Sequence, residues 1–248
     1  MDSSLRATTG SIGIVTGLPA EARLLRGLAF RVAIGGGSPA GAEAAARRLV
    51  GDGALALVSF GLSGGLQPGL RPGEILIPGE IRLVSGERFP TDPALSRRLG
   101  GATTHVILGG DRVAGDPDEK QRLWRLTGAA AVDLESGAVA SVAAEYGLPC
   151  AALRVICDPA NRRLPPAALA ALDHGGNIAI GAMLRALAAD PWQITGLLAL
   201  AADAFAARRA LIRHVRALQP DGCGARSADR TAARRSAGEA DKPAERGS

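Results

Sequence analysis

Short apolar runs alternate with helical stretches along most of this chain, and this alternation limits the folds that it can adopt. Four of the runs, at residues 11–16, 54–60, 130–134 and 150–157, are long enough for a strand and show little polar alternation. Strands of this kind are typical of parallel sheets that are covered by helices on both faces. The sequence therefore predicts an α/β fold: a single domain whose mostly parallel, twisted central sheet is flanked by helices.

Shorter signals predict the remaining elements and the domain limits. Strands are expected at residues 74–77, 80–84 and 104–108, and helices at residues 19–28, 43–49, 117–127, 136–146, 165–172 and 177–218. Residues 219–248 contain no Leu, Ile, Val, Met or aromatic residue, so they cannot bury enough apolar surface to offset the entropy lost on ordering. We predict one domain at residues 11–218, with a helical C-terminal part, and a disordered tail at residues 219–248.

The composition excludes several classes of protein. Hydrophobic residues make up 47% of the 248 residues and charged residues 21%, as in a soluble globular domain. The chain has no uninterrupted membrane-spanning apolar run, no apolar secretory core in residues 1–11, and only three cysteines. We therefore predict a cytoplasmic protein without a disulfide framework. The net charge of +5 does not indicate nucleic-acid binding, because only 3% of the residues are aromatic and could stack on bases.

Carboxylates and glycines follow the predicted strands, at the edge where parallel sheets bind ligands. Glu21, Glu135 and Asp158 each come shortly after a strand, and glycine-rich turns are expected at residues 61–65 and 109–110. Such glycines let backbone N–H groups approach an anion or a sugar, with the Ser63 hydroxyl as a further donor. A carboxylate can accept hydrogen bonds from sugar hydroxyls, and a carboxylic acid can protonate a leaving group. The sequence thus predicts one site that contains three carboxyl groups.

Three segments resemble a known family. Residues 59–78 (SFGLSGGLQPGLRPGEILIP), 132–140 (VDLESGAVA) and 153–159 (LRVICDP) resemble the superfamily of purine nucleoside phosphorylases and methylthioadenosine/S-adenosylhomocysteine nucleosidases. The resemblance covers about residues 11–190 and implies a nucleoside phosphorylase-like domain. Asp158 followed by Pro159 is similar to the hopanoid-associated phosphorylase branch. That branch implies cleavage of the N-glycosidic bond of adenosylhopane, with release of adenine, in hopanoid biosynthesis.

The resemblance also implies roles for single residues. Glu135 matches the glutamate that holds the ribose hydroxyls, Leu134 replaces a methionine beneath the sugar, and Arg154 matches a residue that supports the glutamate. Asp158 matches the acid that protonates N7 of the purine. Cys157 replaces a common serine, which predicts a weaker hydrogen bond to this acid.

The purine pocket rests on a looser match. Gly110, Asp111 and Val113 fall where the family lines this pocket, together with the acid Asp158. Val113 stands where an aromatic residue is usual, so the resemblance implies less stacking on the base.

The nucleophile is either phosphate or water. Phosphate would bind at Ser63 and Gly64, with Arg23 as a further donor unless it is a surface residue. Glu21 matches the glutamate that activates water in the nucleosidases, and its charge would repel a phosphate dianion. From the resemblance we expect phosphorolysis, with phosphate as co-substrate, and hydrolysis by Glu21-activated water is the alternative. A methylthioadenosine/S-adenosylhomocysteine nucleosidase is a second alternative, and a catalytically silent nucleoside-binding protein is a third.

The expected partners follow from this function. The substrate is a small or a lipid-linked nucleoside, no resident cofactor or metal ion is predicted, and the superfamily implies a homo-oligomer. A triterpene substituent requires an apolar groove or a membrane surface. Residues 197–218 predict either peripheral contact with the inner membrane or a helix packed on the sheet, because their second half combines apolar residues with four arginines, Arg208, Arg209, Arg213 and Arg216.

Overall fold

The computed structural model describes residues 11–171, 185, 189–190 and 192–218. Within this part the strands are β1 (Ile12–Thr16), β2 (Arg31–Ile34), β3 (Ala56–Gly65), β4 (Ile75–Leu76), β5 (Glu80–Leu83), β6 (Arg88–Pro90), β7 (Val106–Gly109), β8 (Ala131–Asp133) and β9 (Cys150–Asp158). The helices are α1 (Pro19–Ala22), α2 (Pro39–Gly51), α3 (Pro93–Arg98), α4 (Pro117–Thr127), α5 (Ser136–Glu145), α6 (Pro166–Ala171) and α7 (Gln193–Ala217).

The strands form one mixed sheet in which parallel pairs predominate. Strand β1 pairs in parallel with β2 and β3, β3 with β9, and β7 with β5 and β8. The antiparallel pairs are β3 with β8, β4 with β9, and β5 with β6. The predicted α/β fold with a mostly parallel central sheet is confirmed.

Helices cover both faces of this sheet. On one face α2 and α5 pack on β1, β3 and β9 through small and branched apolar side chains, including those of Ala42, Leu49, Leu57, Val139 and Ala152. On the other face α7 and α3 pack on the same strands, and the buried residues there include Ile14, Phe60, Leu95, Leu153 and Leu211. Burial of β1, β3 and β9 on both faces explains why their sequences are apolar without alternation.

Strand β3 is longer than the sequence predicted. A strand was expected at residues 54–60 and a glycine-rich turn at 61–65, but β3 continues through Gly65, so the prediction of a turn was wrong. Its first part pairs with β1 and β9; after a register shift between Ser63 and Gly64, its end pairs with Val132 and Ala131 of β8. Glycine backbones can continue the ladder while leaving space above it for other side chains.

The expected helix at residues 19–28 is also shorter than predicted. Helix α1 ends at Ala22, and a single 3-10 turn, Arg23–Leu25, follows it. The chain then turns at Gly27, which has a φ of 83°, a conformation that favours glycine and ends helical structure. Strands β2 and β6 and helix α3 were not predicted, because these short elements at the sheet margin lack a long apolar run. The expected tail at 219–248 lies outside the described residues.

Helix α7 has one buried and one exposed apolar side. Ala207, Ala210, Leu211 and Val215 are buried against the sheet, as expected for a helix packed on it. Ile194, Leu198 and Phe205 are large apolar residues that are exposed on α7, and Trp192, which directly precedes the helix, is also exposed. Among the described helices, none combines the length and the apolar character needed to cross a membrane.

Candidate active site

Glu21 is buried where β1 ends. Helix α1 begins at Pro19, and Glu21 in its first turn is only 6% exposed. Its carboxylate accepts hydrogen bonds from the backbone N–H of Leu18, at 2.8 Å, and from that of Leu62 in β3, at 2.9 Å. Burial raises the pKa of Glu21, although the nearby Arg154 guanidinium and these backbone donors act in the opposite direction. Glu21 therefore lies at the junction of β1 and β3.

Arg154 is the cation at the centre of the site. It lies on β9, it is 1% exposed, and its Nη1 is 3.1 Å from Glu135 Oε2. The guanidinium also donates to the backbone oxygen of Leu62 at 3.2 Å, and its remaining polar neighbours are the Ser136 hydroxyl, the Ser59 hydroxyl and the Asp133 carboxylate. Burial alone would lower its pKa, but the carboxylates of Asp133, Glu135 and Glu21 raise it. Arg154 thus contacts Glu135 as the resemblance implied.

Glu135 lies between β8 and α5 and faces Glu21. A Cβ placed on Gly17 would lie 2.5 Å from Glu135 Oε1 and 3.6 Å from Glu21 Oε2, so both carboxylates approach the same glycine. Burial raises the pKa of Glu135, Arg154 lowers it, and the neighbouring Asp133 and Glu21 raise it, with a net pKa of about 7. One buried guanidinium therefore has three carboxyl groups around it, which favours retention of a proton in this cluster near neutral pH.

Asp158 ends β9 and lies against β3. Both oxygens of its carboxylate would be 3.4 Å from a Cβ placed on Gly64. The Cys157 thiol donates to Oδ1 at 3.1 Å, so the substitution of cysteine for serine keeps a contact to the acid. The other oxygen, Oδ2, accepts a hydrogen bond from the buried Lys120 ammonium, which comes from α4. Asp158 is 5% exposed, and because Gly64 has no side chain, the Asp158 carboxylate can lie over the end of β3.

The residues predicted to bind phosphate are not brought together. Arg23 is exposed and lines a separate cleft of about 480 Å³ with Pro19, Arg26 and Ile34. The Ser63 hydroxyl is buried and donates to the backbone oxygen of Val155 at 3.4 Å. Gly64 faces the Asp158 carboxylate. This arrangement gives a phosphate dianion no cation from Arg23.

The residues predicted to line the purine pocket lie in a loop after β7. The Gly110 N–H donates to the Asp133 backbone oxygen at 2.8 Å, which ties this loop to β8. Asp111 is exposed, Val113 is 37% exposed, and Leu134 is half-buried between β8 and α5. The loop therefore borders the carboxylate cluster through Gly110, while Asp111 and Val113 point to solvent-accessible space.

Four polar residues of the site were not predicted, namely Lys120, Asp133, Ser136 and Ser59. Asp133 could have been noticed, since an aspartate shortly before a helix commonly accepts hydrogen bonds from the next backbone N–H groups: its Oδ1 accepts from those of Glu135 and Ser136, at 2.8 and 2.6 Å. Lys120 could also have been noticed from the sequence, because lysine is rare in this chain: of its 29 basic residues, only those at positions 120 and 242 are lysine. In the described ranges no group of three His, Cys, Asp or Glu could hold a metal ion.

Comparison with known proteins places the chain in a family. The sequence model of the phosphorylase superfamily matches residues 27–187. None of the curated proteins matches the chain significantly. Among solved structures, 5′-methylthioadenosine/S-adenosylhomocysteine nucleosidase from Neisseria meningitidis is 18% identical, with a TM-score of 0.58 over 82% of this chain and 96% of that one.

Two further structures, both from Helicobacter pylori, have the same fold. The 5′-methylthioadenosine/S-adenosylhomocysteine nucleosidase is 17% identical, with a TM-score of 0.57 over 82% of this chain and 97% of that one. Futalosine hydrolase is 16% identical, with a TM-score of 0.56 over 72% of this chain and 97% of that one. The family match spans more than half of the sequence, and the fold of these structures agrees with it. The chain belongs to the phosphorylase superfamily.

Proposed function

We propose that the protein hydrolyses the N-glycosidic bond of an adenine nucleoside. Membership of the phosphorylase superfamily and the shared fold with nucleosidases support this reaction class and this substrate class. The observation that carries hydrolysis is the position of Glu21, which is buried beside Glu135 at the strand ends, whereas Arg23 is exposed. A carboxylate in this place can take a proton from water but would repel a phosphate dianion.

The cluster around Arg154 would act on the ribose. Glu135, held by Arg154, would accept hydrogen bonds from two ribose hydroxyls and orient the sugar. As the C1′–N9 bond stretches, positive charge develops on the ribose, and the carboxylates of Glu135 and Glu21 stabilise it electrostatically. Because these groups are already buried and fixed, they need no reorganisation during the reaction.

Proton transfers complete the reaction. One O–H bond of a water molecule breaks, its proton passes to Glu21, and the oxygen forms a bond to C1′. The electron pair of the C1′–N9 bond goes to the purine, and N7 receives a proton through Asp158. The raised pKa of Glu21 suits this role, since a general base works best when its pKa approaches the working pH. The products are adenine and a ribose with a free 1′-hydroxyl.

The expectation of phosphorolysis stays a prediction that the geometry does not favour. Phosphate sites in proteins usually combine an arginine with free backbone N–H groups. Arg23 is exposed, and the Leu62 N–H already donates to Glu21. Arg154 is engaged by Glu135 and Asp133.

The substrate and partners are proposed from the resemblance. Adenosylhopane is the proposed substrate, and its triterpene would need an apolar surface near the site. The exposed side of α7, with Ile194, Leu198 and Phe205 followed by exposed arginines, supports peripheral contact with the inner membrane of a cytoplasmic protein. A homo-oligomer is also proposed, as the superfamily implies.

Adenine release tests the proposal. We would incubate the protein with adenosylhopane in detergent, and separately with methylthioadenosine, each with and without phosphate. We expect release that is independent of phosphate, and a loss of about 10²–10⁴-fold in kcat for Glu21→Gln and for Asp158→Asn. The matched control is Glu145→Gln, since Glu145 is an exposed glutamate paired with Arg47 on the surface.

Each alternative has its own outcome. Release that requires phosphate and yields a sugar phosphate would establish phosphorolysis instead. Turnover of methylthioadenosine without adenosylhopane would reject the lipid substrate and retain hydrolysis. Binding of either nucleoside without release of adenine would identify a silent nucleoside-binding protein.

A further inference from the structure

Lys120 is a buried cation that contacts Asp158. Its side chain is 0% exposed, and Nζ donates to Asp158 Oδ2, to the Pro159 backbone oxygen at 3.1 Å and to the Arg162 backbone oxygen at 3.2 Å. An ammonium group has three N–H donors, and here each has an acceptor. Lys120 therefore fixes both the carboxylate and the chain that follows β9.

The loop that holds these acceptors is anchored elsewhere as well. The Leu164 N–H donates to the Gly115 backbone oxygen at 2.9 Å, and Arg163 pairs with Asp116, the residue that caps α4. These contacts anchor the loop in addition to those of Lys120. The particular partner of Lys120 is the Asp158 carboxylate.

The charges of this pair pose a chemical problem. A carboxylate paired with an ammonium carries no proton of its own, yet protonation of the leaving purine requires one. The Cys157 thiol touches the same carboxyl, but burial and the Asp158 charge raise its pKa well above the usual range, so it retains its proton. Among the described residues that donate to Asp158, Lys120 is the remaining source.

The identity of the residue agrees with this role. Of the 29 basic residues in the sequence, only those at positions 120 and 242 are lysine. A guanidinium could satisfy the same carboxylate, but it stays protonated in proteins, whereas an ammonium can release its proton when buried. The chain thus places an ammonium group, not a guanidinium, at the contact with the acid.

We propose that Lys120 is a positioning residue that holds Asp158 over Gly64 and supplies the proton that Asp158 passes to the leaving base; this rests on the proposed function. An N–H bond of Lys120 breaks, and its proton moves to Asp158 Oδ2. Asp158 then protonates N7 as the C1′–N9 electron pair moves onto the purine. Lys120 is left as a neutral amine; after the base departs, Lys120 regains a proton from solvent and Glu21 releases to solvent the proton that it took from the attacking water.

Two variants and two leaving groups test this inference. Adenine must leave with a proton, whereas p-nitrophenolate leaves p-nitrophenyl β-D-ribofuranoside without one. Lys120→Met removes the charge, and Lys120→Arg keeps it without a releasable proton. For both variants we expect kcat of adenine release from methylthioadenosine and adenosylhopane to fall by about 10²-fold or more, with p-nitrophenol release nearly unchanged.

Two controls complete the design. Arg122→Met removes an exposed cation from the same helix and should leave both reactions unchanged. Asp158→Asn should show the same dependence on leaving group, and adding Lys120→Met to it should cause no further loss, because the two residues act as one unit. Release of p-nitrophenol also shows that each variant is folded.

Three results would overturn the inference. If Lys120→Arg releases adenine at nearly the normal rate, a fixed positive charge is sufficient and no proton comes from Lys120. If both leaving groups are slowed equally, Lys120 only supports the structure. If the unsubstituted protein releases adenine from neither nucleoside, the proposed function fails and this inference fails with it, whereas the first two results leave that function intact.

Discussion

At the scale of the residue, the site depends on Arg154 as a shared counter-charge. Asp133, Glu135 and Glu21 all raise its pKa, and it is the only guanidinium that the described structure places among them. Removal of one partner from a buried ion pair leaves an uncompensated charge in a place that water cannot reach. Arg154 therefore contributes both to the stability of the fold and to the arrangement of the site.

We predict that Arg154→Met lowers the free energy of unfolding by about 3–5 kcal/mol, because buried carboxylates lose their counter-charge. Urea unfolding followed by circular dichroism at pH 7.5 would measure the change. Arg47→Met is the matched control, since Arg47 pairs with Glu43 and Glu145 on the surface and its loss should have little effect. Equal midpoints for the two variants would contradict the prediction.

Glu135 should make the stability depend on pH. Burial and neighbouring carboxylates raise its pKa to about 7 from an ordinary value of 4.5, so the folded state binds this proton more tightly than the unfolded chain. Its stabilisation is complete below pH 4.5 and is lost as the pH rises through 7. Between pH 5 and pH 8 we expect the free energy of unfolding to fall by up to about 3 kcal/mol more in the native protein than in Glu135→Gln.

Urea titrations at several pH values would measure this difference. The control is Glu145→Gln, because Glu145 is exposed and its pairing with Arg47 lowers its pKa. It should therefore not flatten the slope between pH 5 and pH 8. The prediction fails if Glu135→Gln keeps the full native slope.

The sequence indicates where the carboxylates of the site lie better than it indicates which residues they contact. Glu21, Glu135 and Asp158 could be expected at one edge of the sheet because strand ends converge in a parallel sheet. Lys120 could not be paired with Asp158 from sequence, because the two positions are 38 residues apart and meet only through the path of the loop after β9. Arg23 could not be excluded, because the early end of α1 decides its direction.

At the scale of the element, β3 positions two of the carboxylates through its glycines. A Cβ placed on Gly61 would lie 2.5 Å from Glu21 Oε1, and one placed on Gly64 would lie 3.4 Å from the Asp158 carboxylate. From sequence, these glycines are expected in a ligand-binding turn. They are strand residues, and part of the space above them is taken by the acids of the site.

Gly61→Ala should reduce both activity and stability, because Gly61 has a φ of 154°, a backbone conformation that residues with a side chain rarely adopt. The new methyl group would push the Glu21 carboxylate away from the Leu62 N–H, from which it accepts a hydrogen bond at 2.9 Å. A displacement of about 1 Å at a reacting group can lower the rate by about 10²-fold, so we expect a fall of this size in kcat for adenine release. Gly51→Ala is the control, because a Cβ there meets no atom within 4 Å. The prediction is wrong if both variants keep the native rate.

Elements with long apolar runs were predictable, and marginal elements were not. Strand β9 and helix α4 match their predicted ranges almost completely, since one is an apolar run that only Arg154 interrupts before its end and the other has an Asp116 cap and Gly128 at its end. Strand β2 is partly exposed, and β6 has only three residues, so neither has an apolar run that identifies it. Their pairing is determined by the neighbouring strands β1 and β5.

At the scale of the whole molecule, α7 presents an apolar surface that continues into a basic one. Ile194, Leu198 and Phe205 are exposed on α7, and the Arg209 guanidinium lies over the Phe205 ring at 5.8 Å from its centroid. This distribution suits an anionic lipid surface, with aromatic and aliphatic groups at the boundary and arginines at the headgroups.

We expect the protein to sediment with phosphatidylglycerol vesicles at low salt and to remain in solution with phosphatidylcholine vesicles. Replacing Arg208 and Arg209 by Gln should weaken the binding by about tenfold or more, since each cation contributes about 1 kcal/mol. Replacing Ile194, Leu198 and Phe205 by Ser should abolish it. Leu126→Ser is the matched control, as Leu126 is 78% exposed on α4. Equal sedimentation of all variants would refute a role for α7.

The glycines beneath the carboxylates also have a consequence for comparing related sequences. Each acid of the site lies close to a glycine that is distant from it in sequence: Glu135 to Gly17, Glu21 to Gly61, and Asp158 to Gly64. A chain that loses the acid no longer needs the empty space, and a chain that fills the space displaces the acid. Larger residues at positions 17 or 61, where a Cβ would lie 2.5 Å from a carboxylate oxygen, should therefore accompany loss of Glu135 or Glu21, so that a filled glycine position marks a related chain that has lost this acid.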